Sequence, residues 1–214
     1  MDVSGATPRA DVGPASGRPL VVDLRDAVAR DVTLTGGKAS ALATAVHAGL
    51  PTLSGIVLTT AFSDLVDSGV DVADVPVVRE AFDLAGGSER DLVARSSSVV
   101  EDAVESSMAG RFESVIGIHG PDAFAAAVRA VLDSRVTAGA AGEPIAVLVQ
   151  PLLDPTVGGV MFGVDPVSGR SDRRIISAVE GAPEPLVSGQ VEGSRYVLDS
   201  SGKVLRFEAN DGPV

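Results

Sequence analysis

With 45% hydrophobic and only 3% aromatic side chains over 214 residues, Val, Leu, Ile and Ala must build the core of one moderate domain or two small lobes. A formal net charge of −12 leaves no basic stripe to release counterions from nucleic acid or to seek an anionic membrane surface. Without cysteine there is no disulfide, thiolate metal site or thiol nucleophile, and no apolar run approaches the ~20 residues of a spanning helix.

Residues 1–18 are rich in Pro, Gly, Ser and Ala and lack an apolar signal-peptide core, so they read as a mobile arm on a cytoplasmic protein. "PLVVDL" (19–24) is a strand candidate. "GGKASALATAVHAGL" (36–50) reads as a glycine turn feeding a helix, with Leu42, Val46 and Leu50 on one face and a stop at Gly49 and Pro51. "GIVLTTAF" (55–62) reads as a buried strand whose Thr pair caps a helix running to Val66. The acidic stretch 68–91 holds one helix around 77–84. Strands follow at 91–98 and 109–118, then an amphipathic helix at 120–135. "TAGAAGEP" (137–144) reads as a flexible link. Beyond it, 145–153 and 157–166 look like neighbouring strands, 173–180 like another, and 194–208 like a hairpin turning at 200–202. The expected organisation is an N-terminal lobe at 19–136 and a C-terminal lobe at 145–214.

Only two lysines stand against fifteen arginines, so the place of Lys38 carries information. A P-loop requires Gly five residues before its Gly-Lys pair and Ser or Thr after it. Val32 and Ala39 occupy those positions, so Gly36-Gly37-Lys38 is no P-loop. What remains is a glycine turn, a lysine and a helix start, which serves either as a phosphate site or as a solvated surface turn. Arg95 closes an apolar strand, where its planar fork suits phosphate oxygens or an ion pair with Glu101 or Asp102. His47 and His119 lack the companions of a zinc site or a triad and read as structural. Gly158-Gly159 and Gly181 read as bulges or tight turns.

Taken in order, four blocks resemble the nucleotide-binding domain of pyruvate phosphate dikinase, phosphoenolpyruvate synthase and rifampicin phosphotransferase. "GGKASALATAVHAGLPTLSGIVLTTAF" is similar to that family's opening segment, and "VARSSSVVEDAVESSMAGRFE" to its Val-x-Arg-Ser-Ser stretch and Ser-x-Ala-Gly loop. "AVLVQPLLDPTVGGVMFGVDPVSG" resembles its Val-Gln, Gly-Val-Met-Phe and Asp-Pro-Val-x-Gly run, and the match continues to about Asp199.

The resemblance implies an α+β, ATP-grasp-like fold, two lobes with mixed or antiparallel sheets closing on ATP and Mg²⁺. It implies a nucleotide site of Gly36, Gly37, Lys38, Arg95, Ser96, Ser97, Gly110, Gln150 and Glu184, with Lys38 and Arg95 acting on the phosphates. Family members split ATP into AMP and phosphate and place the β-phosphate on a histidine of a mobile domain. This chain departs from the pattern: Gly-Leu-Gly-Glu appears as Gly181-Ala182-Pro183-Glu184, and Ser177 stands where an acid is common. The family's metal-binding Glu, its Leu-Gln-x-Arg-Pro strand and its phosphohistidine and acceptor domains have no counterpart before Val214. The expectation is therefore an ATP-binding subunit or fragment completed by a partner protein. The alternative is a non-catalytic interaction or regulatory protein on a degenerate ATP-grasp fold.

Overall fold

A computed structural model describes residues 17–99, 114–137 and 139–210. The chain divides into two units, Met1–Leu152 and Leu153–Val214.

The first unit runs β1 (Val21–Asp23), α1 (Val32–His47), β2 (Ile56–Leu58), α2 (Thr60–Asp67), α3 (Pro76–Leu84), β3 (Leu92–Ser98), β4 (Ser114–Ile118), α4 (Pro121–Thr137) and β5 (Ile145–Pro151). Its strands form one sheet in the order β1-β2-β5-β3-β4, every pairing antiparallel. Alternation along the strands sorts side chains onto two faces. Ile56, Leu58, Leu92, Ala94, Val147 and Val149 pack with Phe62, Phe82, Phe124 and Leu132 of α2, α3 and α4. Val57, Ala146 and Leu148 instead meet Leu34, Ala39 and Ala43 of α1. With each buried Leu, Val or Phe contributing roughly 1.5–3 kcal/mol, this two-sided burial anchors the unit.

β5 is buried at every residue because it lies between β2 and β3. The expected start of a second lobe at 145 is therefore displaced: Ile145–Pro151 completes the first sheet. Nor are β5 and the following strand neighbours, since they belong to different sheets. The described part of the link is a folded turn, in which Ala140 N–H donates to Arg135 O and Glu143 N–H to Ala140 O.

Two expectations about α1 and α2 need correction. Leu42 and Val46 pack on the sheet, but Leu50 lies past the helix end and is 58% exposed. Thr59 occupies the N-cap position of α2 without capping it. Its hydroxyl donates to Pro19 O, and that of Thr60 to Thr33 O, so the pair ties neighbouring segments together.

The second unit comprises β6 (Val157–Phe162), β7 (Arg173–Glu180), the short α5 (Glu184–Val187), β8 (Ser194–Asp199) and β9 (Val204–Glu208). Its sheet has the order β6-β7-β8-β9, again wholly antiparallel. The β8–β9 hairpin turns where expected, with the Asp199 carboxylate accepting from the Ser201 and Lys203 N–H groups. Tyr196 and Phe207 face each other across it with ring centroids 4.7 Å apart. The architecture is thus α+β with two antiparallel sheets, consistent with an ATP-grasp domain. Among the described residues no helix is long and apolar enough to cross a membrane.

Candidate functional site

The segment before Lys38 is built around one glycine. Asp31 caps the entry to α1 by accepting from Thr33 N–H, and the Thr33 hydroxyl beside it holds the Asp31 carboxyl below its usual range. One turn later Gly36 breaks the helix with φ 75° and ψ 171°. L-residues avoid that conformation, and a Cβ there would stand 2.0 Å from Ser97 O. Glycine thus lets the backbone rest against β3. The chain then re-enters the helix through Gly37 and Lys38, and Ala39 N–H donates to Ser97 Oγ over 3.0 Å. A strand residue 58 positions away thereby satisfies a first-turn donor. Lys38 is half-buried at this helix start, where the backbone dipole also favours an anion.

On β3, residues Val93, Arg95 and Ser97 share the face that α1 covers, and in register they oppose Gln150, Leu148 and Ala146. Arg95 is the one exposed residue in an otherwise buried strand. Its guanidinium has no hydrogen bond or ion pair among the described residues, and its two suggested partners, Glu101 and Asp102, lie outside them. Gly36, Gly37, Lys38, Arg95, Ser97 and Gln150 are thus gathered at one face of the first sheet.

The remaining expected residues stand differently. Ser96 is buried with its side chain on the opposite face, so only its backbone can serve the α1 side. The Ser97 hydroxyl is engaged by Ala39. Gln150 is buried, and its amide lies 3.5 Å from Leu53 O and 3.4 Å from Ser54 O, so it supports the loop before β2. Gly110 lies outside the described residues. Glu184 is exposed at the first position of α5 in the second unit. Gly158 and Gly159 make no bulge, for they pair regularly with Val179 and Ala178. A Cβ on Gly158 would meet Gly181 O and Pro183 N, both at 2.7 Å, so the missing side chain lets the 181–184 turn lie on β6.

His47 and His119 are held locally. His47 Nδ1 lies 2.8 Å from Ala43 O, and His119 Nδ1 lies 3.0 Å from Asp91 Oδ1. Among the described residues no group of three or more His, Asp or Glu could hold a metal ion. A lysine at a helix start, an arginine with no partner among the described residues and a tight glycine contact together suit a polyanion with several oxygens. Sequence reading missed the Ser97–Ala39 bond because nothing local marks a contact between segments so far apart.

Residues 75–211 match the family described as pyruvate phosphate dikinase, AMP/ATP-binding domain. The chain is 30% identical to the prodigiosin synthesizing transferase PigC of Serratia marcescens, over 87% of this chain and 24% of that protein. It is 31% identical to the phosphoenolpyruvate synthase of Aeropyrum pernix, over 60% of this chain and 17% of that enzyme. A Bacillus subtilis protein described as the uncharacterized phosphotransferase YvkC is 30% identical over 56% of this chain and 16% of its own length. The chain therefore spans a quarter or less of each of these relatives. With well over half of its residues matched, this chain belongs to the pyruvate phosphate dikinase AMP/ATP-binding domain family.

Proposed function

We propose that this chain binds ATP on the α1 face of the first sheet and is the ATP-binding part of a dikinase-type phosphotransferase. The observation that carries the reading is the contact of Gly36 and Ala39 with Ser97, which seats the helix start bearing Lys38 against the strand bearing Arg95. ATP supplies the phosphoryl chain to be cleaved, and this chain's residues bind and orient it. The Lys38 ammonium acts as a point charge, and the Arg95 fork aligns two oxygens at once. The helix dipole favours the same charge, and the buried sheet beneath keeps both cations in place. Mg²⁺ accompanies the nucleotide in this proposal, but no acidic cluster among the described residues fits it, so no step is assigned to it.

The proposed reaction yields AMP and phosphate and passes the β-phosphate to a histidine on a further domain or a partner polypeptide. Support comes from the long relatives, of which this chain spans only 16–24%. Calorimetric titration with ATP tests the site. Lys38→Ala and Arg95→Ala should each weaken ATP about tenfold, the loss of one charge-assisted contact of roughly 1.4 kcal/mol. Unchanged affinity in both variants removes the assignment.

A second reading, a non-catalytic interaction or regulatory protein, draws on Ser177 in β7 and on Ala182 and Pro183 in the 181–184 turn. Mixing the chain with a protein carrying the candidate phosphohistidine separates the two. AMP formation with a phosphorylated histidine supports the enzyme, and ATP left intact supports the interaction protein.

A further inference from the structure

The second unit presents a basic basin that the ATP reading does not use. On one face of its sheet, register places Arg173 of β7, Arg195 of β8 and Arg206 of β9 around Ile175 and Val197, which oppose each other as an apolar floor. These residues line one cavity of about 430 Å³ together with Asp165 and Glu208. Three guanidinium groups on one small face are notable in a chain whose net charge is −12.

An account of the nearby carboxylates shows what is unmatched. Asp165 is buried and committed to its own loop, accepting from Val167 N–H, Ser168 N–H and the Ser168 hydroxyl. Glu208 opposes Arg195 in register, yet its carboxylate pairs with Arg206. Asp172 is taken by Arg170 in a two-point contact of 2.9 and 2.6 Å. Asp199 accepts from the hairpin N–H groups. Arg173 and Arg195 hydrogen-bond to no carboxylate among the described residues, although Arg195 lies near enough to Asp165 and Arg173 to Asp172 to help hold those carboxyls below their usual range. Arg173 Nε is shielded from solvent without a partner. A buried N–H without an acceptor costs about 1–3 kcal/mol, and both guanidinium groups line the cavity that an incoming anion would enter.

The geometry points to a phosphoryl-binding site in the second unit, with Arg173 and Arg195 gripping the anion and the Arg206–Glu208 pair closing one side of the cavity. Guanidinium forks match tetrahedral oxyanions, and an apolar floor strengthens each contact by excluding water. The proposal stands apart from the ATP reading, because its residues are separate from Lys38 and Arg95.

The test is a titration of the full chain, labelled with ¹⁵N, using inorganic phosphate, AMP and sodium chloride at matched ionic strength. Phosphate should produce saturable shifts in the amides of β7, β8 and β9 that chloride does not reproduce. Arg173→Gln and Arg195→Gln should each weaken that response about tenfold, the equivalent of one charge-assisted contact. Arg95→Gln should leave it unchanged, which keeps this result distinct from success or failure of the ATP assignment. Tighter binding of AMP at the same amides assigns the phosphoryl group to a nucleotide, and tighter binding of phosphate assigns it to the free ion. Shifts that are absent, equal in chloride, confined to residues around Arg95, or indifferent to both substitutions overturn the proposal.

Discussion

Gly36 shows how one residue can set a site. Its left-handed φ of 75° and its contact with Ser97 O are both closed to any side chain, whereas Gly49, at φ 72°, has nothing within 4 Å of a built Cβ. The two glycines thus separate conformational cost from contact cost. Gly49→Ala should lose about 1–2 kcal/mol, the price of a left-handed L-residue. Gly36→Ala should lose more, since β3 must also retreat, and ATP affinity should fall in this variant alone. Urea unfolding and calorimetry on both variants check this, and equal losses with equal ATP binding would contradict it. Lys38, Arg95 and the glycines were legible as candidates through the family resemblance, because residue type alone left a solvated turn and an ion pair open as well. The engagement of the Ser97 hydroxyl and the inward turn of Ser96 were not, because alternation assigns faces only once the neighbours of a strand are known.

Among the elements, α4 and α2 are joined by an ion pair between a buried arginine and an exposed aspartate. Arg135, 8% exposed, grips Asp67 through two bonds of 3.0 and 2.6 Å and donates to Leu132 O and, at 3.4 Å, to Glu143 O. Removing the acid strands a buried cation, whereas replacing the cation by an apolar side chain of similar length avoids that cost. Asp67→Ala should therefore destabilise more than Arg135→Met, with both changes costing about 1–3 kcal/mol in urea unfolding. The reverse order would show that the Leu132 and Glu143 contacts matter more than the charge pair. Most elements were visible in the sequence, β3, α4, β7 and the β8–β9 hairpin closely so, because strict periodicity and turn residues mark them. The role of β5 was hidden. A continuous apolar run such as Ile145–Val149 announces burial on both faces but not which strands lie beside it.

For the whole molecule, burial is unevenly divided. The first unit holds two clusters of buried residues, while Ile175 is the only buried apolar residue among those described in the second. Stability should follow the same division. Hydrogen exchange should find the amides of β5 protected up to global unfolding, and those of β9, whose side chains are nearly all exposed, opening at far lower free energy. Equal protection in β5 and β9 would show that the second sheet draws stability from contacts other than its own core.

The sequence by itself determined the α+β class, the order of most elements, the absence of cysteine chemistry and the resemblance that led to the family. These depend on residue type and local spacing, which a linear string preserves. Only the tertiary structure decided that β5 belongs to the first sheet, that Ser97 secures the start of the Lys38 helix, and that Arg173, Arg195 and Arg206 share one cavity. Each of those facts depends on strand register and on contacts between distant segments, where a shift of one residue would turn every side chain to the other face.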